Sequence, residues 1–188
     1  MNNCRKLILA SKSPRRSDLL KQNNVEFEVI VRDTQELSAY PVIEELPIIN
    51  ALRKAEKVAE EYPDAVVIGA DTIVVYDNSV IGKPRDYADA VNILHRLVGN
   101  THTVITGVAI LCKEAGKSET FNVKSFVTFK NLSHEEICRY IEKVYVLDKA
   151  GAYAMQENHD LIVESFEGSF DNIVGLPVKE VLECLEKF

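Results

Sequence analysis

The sequence has few cysteines, and they lie far apart. The 188 residues contain four, at Cys4, Cys112, Cys138 and Cys184. No two of them form a C-x-x-C pair and none belongs to a Cys/His cluster, so the sequence offers no zinc motif and argues against a redox motif. We therefore expect reduced thiols.

Long hydrophobic runs are also missing. The apolar run Leu7–Ala10 before Ser11 has four residues, which is too short for the core of a signal peptide. No other run approaches the roughly 20 residues that a membrane-spanning helix needs. The expected compartment is therefore the cytoplasm, with no membrane partner.

Positive charge is scarce. Lysine and arginine total 22 against 29 acidic residues, which gives a net charge of −7. General binders of nucleic acid or anionic membranes use a basic surface to displace counterions, so the charge argues against both classes. Repeats and low-complexity segments are absent as well, and 46% of the residues are hydrophobic. We expect one domain over residues 1–188 with a real core.

Basic residues are nevertheless concentrated in one turn between a strand and a helix. Ser13 suits the N-cap of that helix and Pro14 its first position. The cations around them are Lys12, Arg15 and Arg16. Each lies at the positive end of the helix dipole, where a cation is disfavoured by roughly 0.3–1 kcal/mol.

Such a turn is typical of a phosphate site. Arginine matches phosphate geometry with paired hydrogen bonds, and the hydroxyls of Ser11 and Ser13 add donors. The alternative is a set of solvated surface charges, which we would prefer for a single arginine. On the phosphate interpretation, removing a misplaced cation such as Arg16 should not destabilise the free protein.

An acidic residue interrupts the most apolar run of the chain. Ala65–Val75 is rich in β-branched residues and predicts a strand buried on both faces, with Asp71 in its middle. A buried carboxylate costs several kcal/mol unless a cation, a metal or hydrogen bonds compensate it. Asp71 therefore either takes part in the chemistry of a site or is a strand-end residue bonded to backbone amides. Gly69 fits a bulge or a close backbone approach.

The remaining pattern mixes strands and helices without strict alternation. Apolar residues spaced along one face predict a helix from Ile48 to a point before Pro63. Lys54 lies at the border of that apolar face, and its spacing alone predicts a surface residue. Further strands are predicted at Val25–Val31 and Leu161–Val163, among others, and His102 is expected to be structural. The expected fold class is α/β, a mixed twisted sheet with helices packed on it.

Four blocks of the sequence resemble the signatures of the Maf-like nucleotide pyrophosphatases, formerly called septum-formation proteins. They are spread over nearly the whole chain in the family's order. The blocks are Leu9–Arg16, Gly69–Thr72 with Gly82–Pro84, Asp148–Gln156, and Gly168–Ser169 with Asn172–Pro177.

The resemblance implies an ITPase-like, bilobal fold with a central cleft and hydrolysis of nucleoside triphosphates between the α and β phosphates, aided by Mg²⁺ or Mn²⁺. It makes a homodimer plausible. The positions that match the family's active-site residues are Ser11, Arg15, Arg16, Glu36, Lys54, Asp71, Lys83 and Gln156.

The implied roles follow phosphate-transfer chemistry. Asp71 would orient and deprotonate water, Glu36 with Asp71 would ligate the metal, and Lys83, which the turn after Asp77 should bring beside Asp71, would act with them. The substrate would be bound by Ser11, Ser13, Arg15, Arg16, Lys54, Thr72 and Gln156. Among these, Arg15, Thr72 and Gln156 resemble the subgroup that acts on dTTP and UTP.

Two departures from the family pattern stand out. Lys12 replaces a small residue, and Asn50 replaces an apolar residue shortly before Lys54. Two other functions stay open at this point. One is a non-catalytic nucleotide sensor that regulates cell division, and the other is a house-cleaning hydrolase of non-standard purine triphosphates.

Overall fold

The structure is a computed structural model that describes residues 5–188. Cys4 lies outside the described residues, and the other three cysteines are free thiols, as predicted. The helices are α1 (Pro14–Gln22), α2 (Leu46–Ala59), α3 (Tyr87–Leu97), α4 (His134–Lys143), α5 (Phe170–Val174) and α6 (Val178–Leu185). The strands are β1 (Leu7–Leu9), β2 (Glu28–Val29), β3 (Val66–Tyr76), β4 (Ser79–Ile81), β5 (Thr101–Cys112), β6 (Lys117–Phe129) and β7 (Val163–Glu167).

The strands form one mixed seven-stranded sheet in the order β2-β1-β3-β5-β6-β7, and β4 pairs with β3 off this path. Strand β1 runs parallel to both β2 and β3, with Ile8 opposite Val67. The pairs β3–β4 and β6–β7 are antiparallel. The predicted mixed sheet is therefore confirmed.

The chain divides into two compact units. The first comprises the described residues up to Asp71 together with Thr106–Val123 and Gly175–Phe188, and the second comprises Thr72–Ile105 and Lys124–Val174. Strands β3, β5 and β6 each pass from one unit into the other along the chain.

In the first unit, helix α2 lies very close to strand β3. A Cβ at Gly69 would stand 2.1 Å from the carbonyl oxygen of Ala51 and 3.0 Å from the Cβ of Ala55. Only glycine permits this distance, so the close-approach interpretation of Gly69 is correct. Alanines on the facing side of α2 complete the contact and are fully buried. The small residues thereby bring α2 close to Ala70 and Asp71, which follow Gly69 on β3.

The second unit has an aromatic core. His102 is 1% exposed and packs edge-on against Phe129 and Tyr153, and its Nε2 is hydrogen-bonded to the Tyr153 hydroxyl at 3.0 Å. Burial lowers the pKa of His102 to about 4, so the ring is neutral near pH 7. His102 is a core residue, as expected from the sequence.

Several predicted boundaries are wrong. The strand expected over residues 25–31 contains only Glu28 and Val29, both exposed, because this edge strand pairs on one side only, with β1, over two residues. The strand expected at 161–163 begins at Val163 and continues to Glu167. Asp86 caps α3, and the Ser133–Glu136 capping box opens α4. Among the described residues, no helix is long and apolar enough to cross a membrane.

Arg16 is a structural element of the first unit. It is 8% exposed, and its Nε donates to the Gly175 carbonyl at 2.7 Å. Its Nη1 donates to the Ala70 carbonyl at 2.9 Å and to the Ser11 hydroxyl at 3.0 Å. One buried guanidinium thus joins α1, the middle of β3 and the segment before α6. The expectation that Arg16 is a misplaced cation is wrong, because the fold supplies it with three acceptors.

We predict that Arg16→Ala lowers the free energy of unfolding by about 2–4 kcal/mol, because it leaves buried acceptors without a donor. Lys12→Ala is the control. Its ammonium lies 3.2 Å from Asp33 in an exposed pair, so it should change stability by less than about 1 kcal/mol. Chemical denaturation of both variants measures this, and equal midpoints would contradict the structural role of Arg16.

Candidate active site

Helix α2 presents three polar side chains to the loop that carries Glu36. Asn50, Arg53 and Lys54 are spaced three and four residues apart, which places them on one side of the helix. Arg53 Nη1 donates to the Gln35 carbonyl at 3.1 Å. The loop is therefore held by the same helix that packs against β3.

Lys54 lies between two carboxylates. Its Nζ is 2.7 Å from Glu36 Oε1 and 2.8 Å from Asp71 Oδ1. A third contact reaches the Ala70 carbonyl at 3.4 Å. The side chains of Lys54 and Asp71 are only 14% and 13% exposed, whereas that of Glu36 is 53% exposed. Lys54 is thus no surface lysine, and its charge compensates the buried Asp71.

The second oxygen of Asp71 also has a partner. Asn50 Nδ2 donates to Asp71 Oδ2 at 3.0 Å, so each carboxylate oxygen receives one hydrogen bond from α2. A carboxylate accepts about four hydrogen bonds in all. Asp71 therefore keeps capacity on both oxygens for a further ligand or water.

Arg16 brings a second positive charge to this region. It binds the carbonyl of Ala70, the residue before Asp71. Burial lowers the pKa of the Arg16 guanidinium, and the charge of Asp71 opposes that change. The Ser11 hydroxyl oxygen accepts hydrogen bonds from Arg16 and from the Ser13 backbone N–H. Ser11 can therefore offer only its O–H proton to a phosphate.

The other residues of the basic turn are placed less specifically. Ser13 is at the N-cap of α1, as predicted, but its side chain makes no capping hydrogen bond. Arg15 is partly exposed in the first turn of α1. The side chain of Lys12 is 73% exposed.

Three predicted site residues belong to the second unit. Thr72 follows Asp71 on β3 and is partly exposed, and Lys83 is exposed after β4. Gln156 is exposed in the loop that follows the buried segment Gly151–Met155. Their approach to the residues of the first unit, including that of Lys83 to Asp71, stays a prediction.

The carboxylates of Glu36 and Asp71 both contact Lys54, and their hard oxygens are of the kind that bind a divalent cation. Among residues 5–188, no group of three or more His, Cys, Asp or Glu side chains could hold a metal ion. Mg²⁺ commonly takes one or two protein carboxylates and completes its shell with water and substrate phosphates. Glu36 and Asp71 fit that pattern.

Sequence reasoning gave Asn50 no role in the site. The signal was present, since a polar residue stands where the family pattern has an apolar one. Its partners, Leu37 and Asp71, are 13 and 21 residues away along the chain, and only the folded structure brings them together.

Comparison with known proteins gives the family of the chain. A model of the family described as Maf-like proteins matches residues 6–188. A dTTP/UTP pyrophosphatase of Akkermansia muciniphila is 46% identical over 95% of this chain and 94% of the relative. One from Bacillus cytotoxicus is 44% identical over 98% and 96%.

The fold has a solved counterpart in the Ham1 protein of Staphylococcus aureus. The two share a TM-score of 0.56 at 15% identity, over 97% of this chain and 99% of the other. The likeness concerns the fold alone, and it confirms the fold class expected from the sequence. With a family model over nearly the whole chain and relatives of more than 40% identity along almost all of it, the chain belongs to the family of Maf-like proteins.

Proposed function

We propose that this protein is a nucleoside triphosphate pyrophosphatase that hydrolyses dTTP and UTP to the monophosphate and pyrophosphate. Relatives along almost its full length carry the name dTTP/UTP pyrophosphatase. The observation that carries the proposal is the contact of Lys54 with both Glu36 and Asp71 at 2.7 and 2.8 Å. It supplies a basic oxygen, a cation and a second carboxylate at one place.

In the proposed reaction, water attacks the α-phosphorus and pyrophosphate leaves. Asp71 takes the proton of that water through a free lone pair of its carboxylate. Lys54, already held at Asp71, stabilises charge on the phosphate oxygens. Arg15, Lys83, Ser11 and Ser13 are further phosphate contacts in this proposal. Arg16 adds charge and keeps the Ser11 hydroxyl and the Ala70 carbonyl in place, and its own phosphate contact stays a prediction.

A divalent metal, Mg²⁺ or Mn²⁺, would be held by Glu36 and Asp71. When bound, it neutralises charge on the polyphosphate and polarises its oxygens. The exposed position of the Glu36 carboxylate lets it contact a bound ion and substrate. The protein's own contribution is to hold both carboxylates through Lys54.

The two alternatives are less favoured. A non-catalytic sensor needs cations for the phosphates but gains nothing from two carboxylates, which repel them. A hydrolase of non-standard purine triphosphates would share the phosphate contacts and differ at the base. The names of the relatives favour pyrimidine substrates.

The oligomeric state, the location and the absence of macromolecular partners remain predictions. The homodimer and the cytoplasmic location are proposals, as is the absence of nucleic acid and membrane partners. Three exposed aromatic side chains lie on the edge strand β7 or on the elements next to it along the chain or the sheet. They are Phe166 on β7, Phe126 on the paired strand β6 and Phe170 at the start of α5.

We predict that Asp71→Asn lowers the turnover of UTP by about 10²–10⁴-fold, because the amide cannot accept the water's proton. Nucleotide affinity should change little, since the cations remain. Pyrophosphate release and calorimetric binding measure the two effects. Asp33→Asn is the control, because Asp33 is fully exposed and pairs only with the exposed Lys12 among the contacts described here. Near wild-type turnover in Asp71→Asn would refute the role of Asp71.

We predict that UTP and dTTP are hydrolysed much faster than CTP and dCTP. Uracil and thymine present an N–H donor between two carbonyl acceptors, and the Gln156 amide offers both a donor and an acceptor. Cytosine reverses part of that edge and would leave the Gln156 amide and the base unpaired once the bound base covers them. Gln156→Ala should therefore reduce the UTP-to-CTP ratio of kcat/KM, whereas Gln22→Ala, an exposed glutamine at the end of α1, should not.

A panel of triphosphates that includes inosine triphosphate and 7-methyl-GTP, with and without Mg²⁺ or Mn²⁺, tests this assignment. A preference for a purine triphosphate over UTP would contradict the pyrimidine assignment. Binding without any hydrolysis would instead support the sensor.

A further inference from the structure

We propose that Asn50 is a positioning residue of the reactive centre, which fixes the orientation of the Asp71 carboxylate and the conformation of the loop that carries Glu36. This inference rests on the proposed function. Asn50 touches no predicted substrate contact, and it acts through the two carboxylates.

The amide of Asn50 is buried, and both its oxygen and its nitrogen make hydrogen bonds. The residue is 3% exposed. Its Oδ1 accepts a hydrogen bond from the Leu37 N–H at 2.8 Å, and its Nδ2 donates to the Leu37 carbonyl at 3.1 Å and to Asp71 Oδ2 at 3.0 Å. One side chain thus binds both backbone polar groups of Leu37 and one oxygen of Asp71.

These bonds are more than helix packing requires. An apolar side chain at this position would fill the space next to the loop without binding either group. A buried asparagine with three good partners selects one arrangement of those partners, because any other leaves polar groups unpaired.

The first effect of Asn50 is on the orientation of the Asp71 carboxylate. Asn50 holds Oδ2 while Lys54 holds Oδ1, so the carboxylate cannot rotate about its bond to Cβ without losing both contacts. The lone pairs that remain for a water or a metal then point in fixed directions. This is the preorganisation that a general base needs.

The second effect is on Glu36. Helix α2 binds three successive residues of the loop: Arg53 holds the Gln35 carbonyl, Lys54 the Glu36 carboxylate and Asn50 the Leu37 backbone. The Glu36 carboxylate itself is half exposed. Its position therefore depends on the backbone on either side, and Asn50 fixes the side that follows it.

Asn50→Leu tests this role, since leucine is apolar and of similar size to asparagine. We expect kcat for UTP to fall by about 10–100-fold, as for other residues that orient catalytic ligands. The KM for UTP should change less than threefold, because the phosphate contacts remain. A drop in kcat with KM unchanged would separate positioning from a general loss of folded protein.

Asn50→Asp is the sharper variant. It keeps the acceptor for the Leu37 N–H but places a carboxylate oxygen where an N–H now faces Asp71, at 3.0 Å. We expect a larger loss of kcat than for Asn50→Leu, with the loop still held at the Leu37 N–H. Asn23→Leu is the matched control, because its amide binds only the Leu19 carbonyl near the end of α1 among the contacts described here, and its kcat should be that of the wild type.

Hydrogen exchange at the Leu37 amide gives a readout that needs no activity. Exchange should accelerate in Asn50→Leu and stay slow in Asn50→Asp and Asn23→Leu. Accelerated exchange with a lowered kcat supports the proposal. Unchanged exchange, or a kcat in Asn50→Leu equal to that of the wild type, overturns it. A wild-type protein that releases no pyrophosphate refutes the proposed function, whereas the exchange experiment still decides whether Asn50 holds the loop.

Discussion

The structure depends on how one buried carboxylate is compensated. Asp71 lies in the middle of β3, directly after the buried residues Val66–Ala70, where an unpaired charge would cost several kcal/mol. The fold supplies an ammonium to one oxygen and an amide to the other, both from helix α2. A guanidinium from α1 reaches the neighbouring carbonyl of Ala70. The cationic groups of Lys54 and Arg16, which the proposed chemistry requires, therefore also stabilise Asp71 in the folded protein.

This compensation is possible only because helix and strand approach closely. Gly69 lacks the Cβ that would collide with the Ala51 carbonyl, and a Cβ at Gly107 would lie 2.3 Å from the backbone at the start of the same helix. With larger residues at these points α2 would stand further from the sheet, and Lys54 could not reach Asp71. The spacing of small residues in the core thus sets the geometry of the site.

Much of this was predictable from the sequence. The apolar run around Asp71 predicted β3, the turn at Ser13 and Pro14 predicted the start of α1, and the family signatures identified the fold and the proposed site residues. What the sequence could not reveal depends on long-range contacts. The burial of Arg16 requires Gly175, which is 159 residues away, and Lys54 resembles a surface lysine until the loop of Glu36 and strand β3 meet it. The bounds of the edge strands β2 and β7 were misplaced because each pairs with a neighbour on one side only, so few of their residues are buried.

Lys54 is the cation shared by Glu36 and Asp71. The most direct test is pyrophosphate release from saturating UTP by Lys54→Met, compared with Lys57→Met, whose side chain on the same helix is 55% exposed. Circular dichroism at a temperature below both melting transitions shows that each variant is folded. The account predicts at least about a 100-fold loss of turnover for Lys54→Met and none for Lys57→Met. A folded Lys54→Met protein with wild-type turnover would contradict it.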